Sequence, residues 1–135
     1  MTVHIPLSLR KIVIERAAGR CEYCLFPQLY AIRKFEPDHI VPVQHGGQTE
    51  SSNMACACHR CNRNKGPNVG SYDPLTNLLT PFYNPSIHRW HEHFEMHDAE
   101  ILPLTPEARV TVKILRLNDD ERLIERSRLI TLGVF

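Results

Sequence analysis

Residues 38–65 read DHIVPVQHGGQTESSNMACACHRCNRNK. The stretch sets a carboxylate beside a histidine at Asp38-His39, a Gly46-Gly47 turn, asparagines at Asn53 and Asn62, and the pair Cys58-x-x-Cys61. Toward the N-terminus lies a second pair, Cys21-Glu22-Tyr23-Cys24. Two thiolates separated by two residues aim their sulfurs at one tetrahedral ion, so Cys21, Cys24, Cys58 and Cys61 predict a structural Zn²⁺ site. Redox Cys-x-x-Cys chemistry uses one pair at a helix start, and two pairs argue for zinc instead. The 33 residues between Cys24 and Cys58 exceed what a small ribbon needs, which places the function in that insert. Cys56, on the short apolar run MACAC, is expected in the core rather than on the metal.

The 135 residues suit one domain, and the composition, 42% hydrophobic and 23% charged, is that of an ordinary globular protein. No apolar run approaches the roughly 20 residues that span a bilayer, and the stretch MTVHIPLSLR lacks the pattern of a signal peptide; the expectation is a cytoplasmic protein with no membrane partner. Net charge is close to balanced, but unevenly placed. Residues 1–70 carry nine Lys or Arg against five acids, and residues 71–135 carry seven against ten. A basic half that holds the candidate site suits an anionic substrate.

Ser8–Ala18 has the apolar spacing of a helix, with Ser8 as its cap and Gly19 as its stop. Leu25–Phe35 alternates apolar and basic residues and predicts a strand. Adjacent strand residues point to opposite faces, so Asp38 and His39 should divide their labour, one on a metal and the other on a water. HRCNRNK, residues 59–65, is expected as a short helix.

Phosphodiester cleavage needs a polarised water, a base for its proton, and positive charge near the leaving oxygen. Asp38 and the Asn62 carbonyl are hard oxygen donors suited to a divalent cation, Mg²⁺ or Mn²⁺. Histidine is the side chain whose charge changes near neutral pH, so His39 can act as a base if its ring is oriented, a task read onto Asn53. Cys-x-x-Cys, Asp-His-Ile-x-Pro, Gly-Gly, Asn and Cys-x-x-Cys-Asn-x-x-Lys, in this order, resemble the HNH endonucleases. The resemblance covers residues 20–66 and implies a ββα-metal fold, general-base His39, cation ligands Asp38 and Asn62, a positioning role for Asn53, and a zinc held by the four cysteines. Some relatives have histidine where this chain has Asn62, and the amide favours Mg²⁺ over softer metals. DNA is the implied partner, with Lys65, Arg63, Arg60, His45 and His59 as candidate phosphate contacts. Glu36 is a weaker candidate for the cation's outer surroundings.

The expected fold class is therefore α+β: residues 1–135 as one domain, with a zinc-stapled core at 20–66 and a helical C-terminal extension at 67–135. In that extension Asn84-Pro85 signals a short helix through Trp90 and Phe94, Thr105-Pro106 a helix to about Leu117, and Asn118 the cap of a last helix over Asp119–Leu132. His88, His91, His93 and His97 are expected as structural or surface residues, because His-Glu-x-x-His is absent. The last helix reads as amphipathic, packing Leu123, Ile124, Ile130 and Leu132 on the core or on a second copy in a homodimer. The competing class is a zinc-ribbon module that binds nucleic acid and cuts nothing; it has no use for Asp38, His39 and Asn62 in register.

Overall fold

A two-stranded ribbon followed by a helix forms around the opening stretch. The structure, a computed structural model, describes residues 4–135; Met1–Val3, the start of the stretch read for a leader, lie outside the described residues. Strand β1 (Glu36–His39) pairs antiparallel with β2 (Met54–Ala57), Asp38 facing Ala55 and His39 facing Met54. β2 is buried along its whole length, and helix α2 (His59–Lys65) follows directly. Helix α1 (Leu7–Arg16) packs on both strands through the buried Val13.

α1 starts one residue earlier than the sequence suggests. Pro6 precedes it with fixed φ, and Ser8 lies inside the helix without capping any amide. Its exit uses two residues of positive φ, Ala18 and Gly19, before the chain turns into Cys21. No strand spans Leu25–Phe35. Pro27 makes one isolated bridge to Arg20, Gln28–Tyr30 is a single 3-10 turn, and Gln28 Oε1 accepts from Phe35 N at 3.0 Å. Alternation makes a strand only when one face is buried, whereas Leu29, Tyr30 and Ile32 are all exposed here.

The extension holds two hairpins besides its helices. β3 (Gly70–Tyr72) pairs with β4 (Leu79–Pro81), and Asp73 ties the intervening turn through Leu75 N and Thr76 Oγ1. Asn84 organises a turn rather than a helix, accepting from Ser86 N. α3 is confined to Trp90–His93, and Phe94 opens β5 (Phe94–His97), which pairs with β6 (Glu100–Pro103). His93 and His97 are therefore not on one helix. α4 (Pro106–Leu115) begins as expected, Thr105 Oγ1 accepting from Ala108 N.

α5 (Asp120–Thr131) packs by an unexpected face. Arg122, Arg126 and Leu129 are buried, whereas Ile124, Ile130 and Leu132 face solvent. The two guanidiniums reach carbonyls that end α4 and its following turn: Arg122 Nη1 donates to Leu115 O, and Arg126 Nη2 to Leu117 O. Asn118 does not cap α5; its side chain pairs with both backbone groups of Ile101. One apolar cluster joins Val13, Tyr23, Phe35 and Met54 to Phe82, Trp90, Phe94, Ile101 and Leu115, and Trp90 Nε1 donates to Tyr23 O at 2.9 Å.

Candidate metal centres and catalytic cleft

Each cysteine pair sits where the backbone turns tightly. Leu25, at φ 64, folds the first knuckle so that its amide reaches Cys21 O, and in the second Cys58 caps α2, its Sγ accepting from Cys61 N at 3.4 Å. The Sγ atoms of Cys21, Cys24, Cys58 and Cys61 all lie within 4.8 Å of one another, and all four residues are buried. Burial pushes the Cys21 and Cys61 thiols up, whereas hydrogen bonding from Cys21 holds Cys24 and Cys58 down. Four buried thiolates cannot coexist without a cation between them, and a tetrahedral dication answers that need; the donor set fits Zn²⁺. Cys56 stays apart. Burial, with Glu22 next in importance, pushes its thiol up to about 12, and its backbone amide donates to Glu22 Oε2.

β1 and α2 meet at a cleft of about 500 Å³ lined by Asp38, His39 and Asn62, with Pro42, Val43, Gln44 and Pro67 around them. Asp38 Oδ2 accepts from Tyr23 Oη at 3.2 Å and pairs with Lys65 Nζ at 3.1 Å. Its Oδ1 has no hydrogen-bond partner among the described residues. Burial raises the Asp38 carboxyl, and the charge of Lys65 opposes the rise. His39 Nε2 lies 2.9 Å from Thr49 Oγ1, and its Nδ1 has no partner among the described residues. The half-buried Asn62 side chain is likewise without one.

The HNH endonuclease family model matches residues 21–68. Residues 21–68 are an HNH endonuclease domain. No curated protein and no solved structure matches the chain.

Within the HNH domain the Asn53 side chain makes no hydrogen bond to His39. Its Oδ1 accepts from Val41 N, and its Nδ2 donates to Val41 O and Gln48 O, each at 2.9 Å. It therefore pins the loop between β1 and β2, while Thr49 on that loop meets the His39 ring. Gly47 is required there: a Cβ would stand 1.6 Å from Val41 O and 2.8 Å from Asn53 Nδ2. Thr49 went unnoticed in the sequence because nothing local ties it to a residue ten positions earlier.

Two candidate phosphate contacts are used elsewhere. Lys65 is 1% exposed, its Nζ bound to Asp38 and to His39 O at 2.9 Å, so it cannot also reach a phosphate at the surface. Arg60 forms a bidentate pair with Glu125 at 2.9 Å, turned toward α5. Arg63 is exposed on α2, and His45 Nε2 lies 3.1 Å from Pro67 O at the rim of the cleft. His59 is exposed beside Arg33, at 3.5 Å. Glu36 faces outward and pairs with Arg10, away from Asp38.

Beyond the HNH domain, His93 Nδ1 lies 2.7 Å from Thr105 Oγ1 and His88 Nδ1 accepts from Asn84 N at 3.0 Å. Among the described residues, the four cysteines are the only cluster of three or more His, Cys, Asp or Glu gathered for a metal. No helix of the described residues is long and apolar enough to cross a membrane. Arg122 of α5, unremarked in the sequence, places Nη2 3.0 Å from Cys61 Sγ and 3.9 Å from Cys58 Sγ.

Proposed function

We propose that the chain is a metal-dependent endonuclease that hydrolyses DNA phosphodiester bonds, with a structural Zn²⁺ on Cys21, Cys24, Cys58 and Cys61. The observation that carries this reading is the shared cleft of Asp38, His39 and Asn62, each with a ligating or basic atom that has no hydrogen-bond partner among the described residues. Asp38 Oδ1 and Asn62 Oδ1 would hold Mg²⁺ or Mn²⁺. When bound, that ion supplies positive charge to the phosphate and to the leaving oxygen.

His39 serves as the general base. With Nε2–H donating to Thr49 Oγ1, the lone pair sits on Nδ1, which takes the proton of a water attacking phosphorus. The backbone hydrogen bond from Lys65 to His39 O steadies the ring's attachment point. Asn53 acts one step removed, by holding the loop that carries Thr49. Arg63, exposed on α2, and His45, beside Pro67 of the cleft lining, would meet the phosphates of a bound strand. The leaving group is the 3′ oxygen, which gives 3′-hydroxyl and 5′-phosphate ends.

The test is supercoiled plasmid incubated with the purified protein, with Mg²⁺ and with EDTA. The expected result is nicking that requires Mg²⁺, stops with EDTA, and is lost in His39→Ala while its circular dichroism and DNA retention stay as in the wild type. Plasmid that is bound but never cut would instead establish the non-catalytic nucleic-acid-binding module, and cutting by the alanine variant would remove His39 from its role.

A further inference from the structure

The buried face of α5 brings a charge to the cysteine cluster from outside the HNH domain. Arg122 is 6% exposed. Its Nη2 donates to Cys61 Sγ and approaches Cys58 Sγ, while Nη1 donates to Leu115 O at 2.8 Å and approaches Arg116 O at 3.4 Å. One planar fork thus joins α5 to the C-terminal end of α4 on one side and to two sulfurs on the other. Arg126, one turn on, is equally buried but spends its donors on Ala99 O, Leu117 O and Asn118 Oδ1, none of them sulfur. Arg60 is drawn to Glu125.

Four thiolates around one dication leave two negative charges in a buried place, and burying charge without a partner is costly. Hydrogen bonds from a cation to the sulfurs spread that charge and fix the sulfur orientation. The groove between the 25–35 loop and α5, about 680 Å³, has Cys24, Cys58, Arg122 and Leu129 in its lining. α5 is therefore one wall of the groove that Cys24 and Cys58 line.

We propose that Arg122 is a positioning residue of the zinc centre: its guanidinium bonds the Cys61 and Cys58 thiolates, offsets their charge, and makes metal retention depend on the docking of α5. The proposal rests on the reading of the four cysteines as a zinc site. A lysine would reach only one side of the junction, whereas the guanidinium serves both.

The experiment uses the full chain loaded with Zn²⁺ or Co²⁺, comparing Arg122→Met, Arg122→Lys and Arg126→Met. A hydrogen bond withdraws electron density from a thiolate, so its loss moves the sulfur-to-cobalt charge-transfer band to longer wavelength. Arg122→Met should show that shift and release zinc to a competing chelator roughly 10–100-fold faster, the range found when a partner of a metal ligand is removed. Arg122→Lys should fall between it and the wild type. Arg126→Met loosens the same helix without touching sulfur and should keep the wild-type spectrum. Wild-type spectra and release rates in Arg122→Met, or equal changes in Arg126→Met, would overturn the proposal while leaving the zinc site standing. If Arg122→Met does not fold, an unshifted spectrum and unchanged release in Arg122→Lys would overturn it instead. Wild-type protein that binds no metal through sulfur would remove the zinc site and this proposal together.

Discussion

Lys65 Nζ lies 3.1 Å from Asp38 Oδ2, and both side chains are buried. The pair joins the end of α2 to β1, and the same ammonium donates to His39 O. With Tyr23 Oη also on Oδ2, one carboxylate oxygen is fixed by the protein, and the other has no hydrogen-bond partner among the described residues. The contact thus sets the rotamer of the proposed cation ligand and the backbone of the proposed base together.

Removing one partner of a buried ion pair strands the other, which typically costs about 3–5 kcal/mol. Lys65→Met should therefore lower the unfolding free energy by an amount of that order, read from urea titrations of the metal-loaded protein. The double variant Asp38→Asn/Lys65→Met should recover most of the loss, because no charge remains unpaired. Equal stability of the two variants would show that the pair is not what holds this junction.

Thr49→Val and Asn53→Ala separate orientation of the ring from integrity of the loop. Valine removes only the hydroxyl beside His39 Nε2, so cleavage should fall about 10–100-fold, the loss typical when a positioning hydrogen bond is removed, with the melting temperature little changed. Asn53→Ala removes three hydrogen bonds to Val41 and Gln48 and should lower both stability, by roughly 1–3 kcal/mol, and cleavage. Plasmid nicking rates set against thermal unfolding distinguish the two. A Thr49→Val enzyme of full activity would mean that the ring needs no such partner.

The site was legible in the sequence wherever its chemistry is carried by spacing. Two Cys-x-x-Cys pairs announce a four-sulfur cluster because a tetrahedral ion dictates local geometry. Asp38, His39 and Asn62 could be placed in one cleft because the ribbon and helix between them are short. Lys65 could not be read, since a lysine in a basic heptapeptide is exposed unless a distant carboxylate claims it. The same holds for Arg122 and Arg126: on a helical wheel they mark the solvent face, yet free α4 carbonyls and thiol sulfurs turn that face inward. Leu25–Phe35 failed for the opposite reason, as its alternation has no sheet to pair with.

Asp73 predicts a component of the acid response. Hydrogen bonding from Arg109, bidentate at 2.8 Å, holds its carboxyl well below the usual carboxylate range. A depressed folded-state value contributes stability above the unfolded value of about 4 and loses it as pH falls toward the folded one. Asp38 and Glu22 run the other way: burial raises both, so the folded state takes up their protons first, and acidification relieves a cost. Asp73→Asn should then be less stable than the wild type at neutral pH, with the difference shrinking below about pH 4. Urea midpoints for the two proteins between neutral pH and acid measure it; a difference that stays constant would exclude ionisation of Asp73 as its source.

Cys56 and Cys58 are two residues apart on a buried stretch, and only one of them should matter to metal. Cys58 belongs to the sulfur cluster and caps α2, whereas Cys56 holds its thiol protonated in the core, beside the Glu22 backbone pairing. Cys56→Ala should retain one equivalent of zinc and unfold cooperatively, slightly earlier than the wild type for the packing it loses. Cys58→Ser should lose zinc and, because metal binding contributes directly to folding free energy, much of its stability as well. Asn62 follows Cys61 directly, so the cleft should go with the cluster: the serine variant is expected to lose plasmid nicking that added Mg²⁺ does not restore. Metal content by atomic emission, beside thermal unfolding and the nicking assay, checks all three. Full nicking by zinc-free Cys58→Ser would show that the cysteine staple does not position the catalytic ligand.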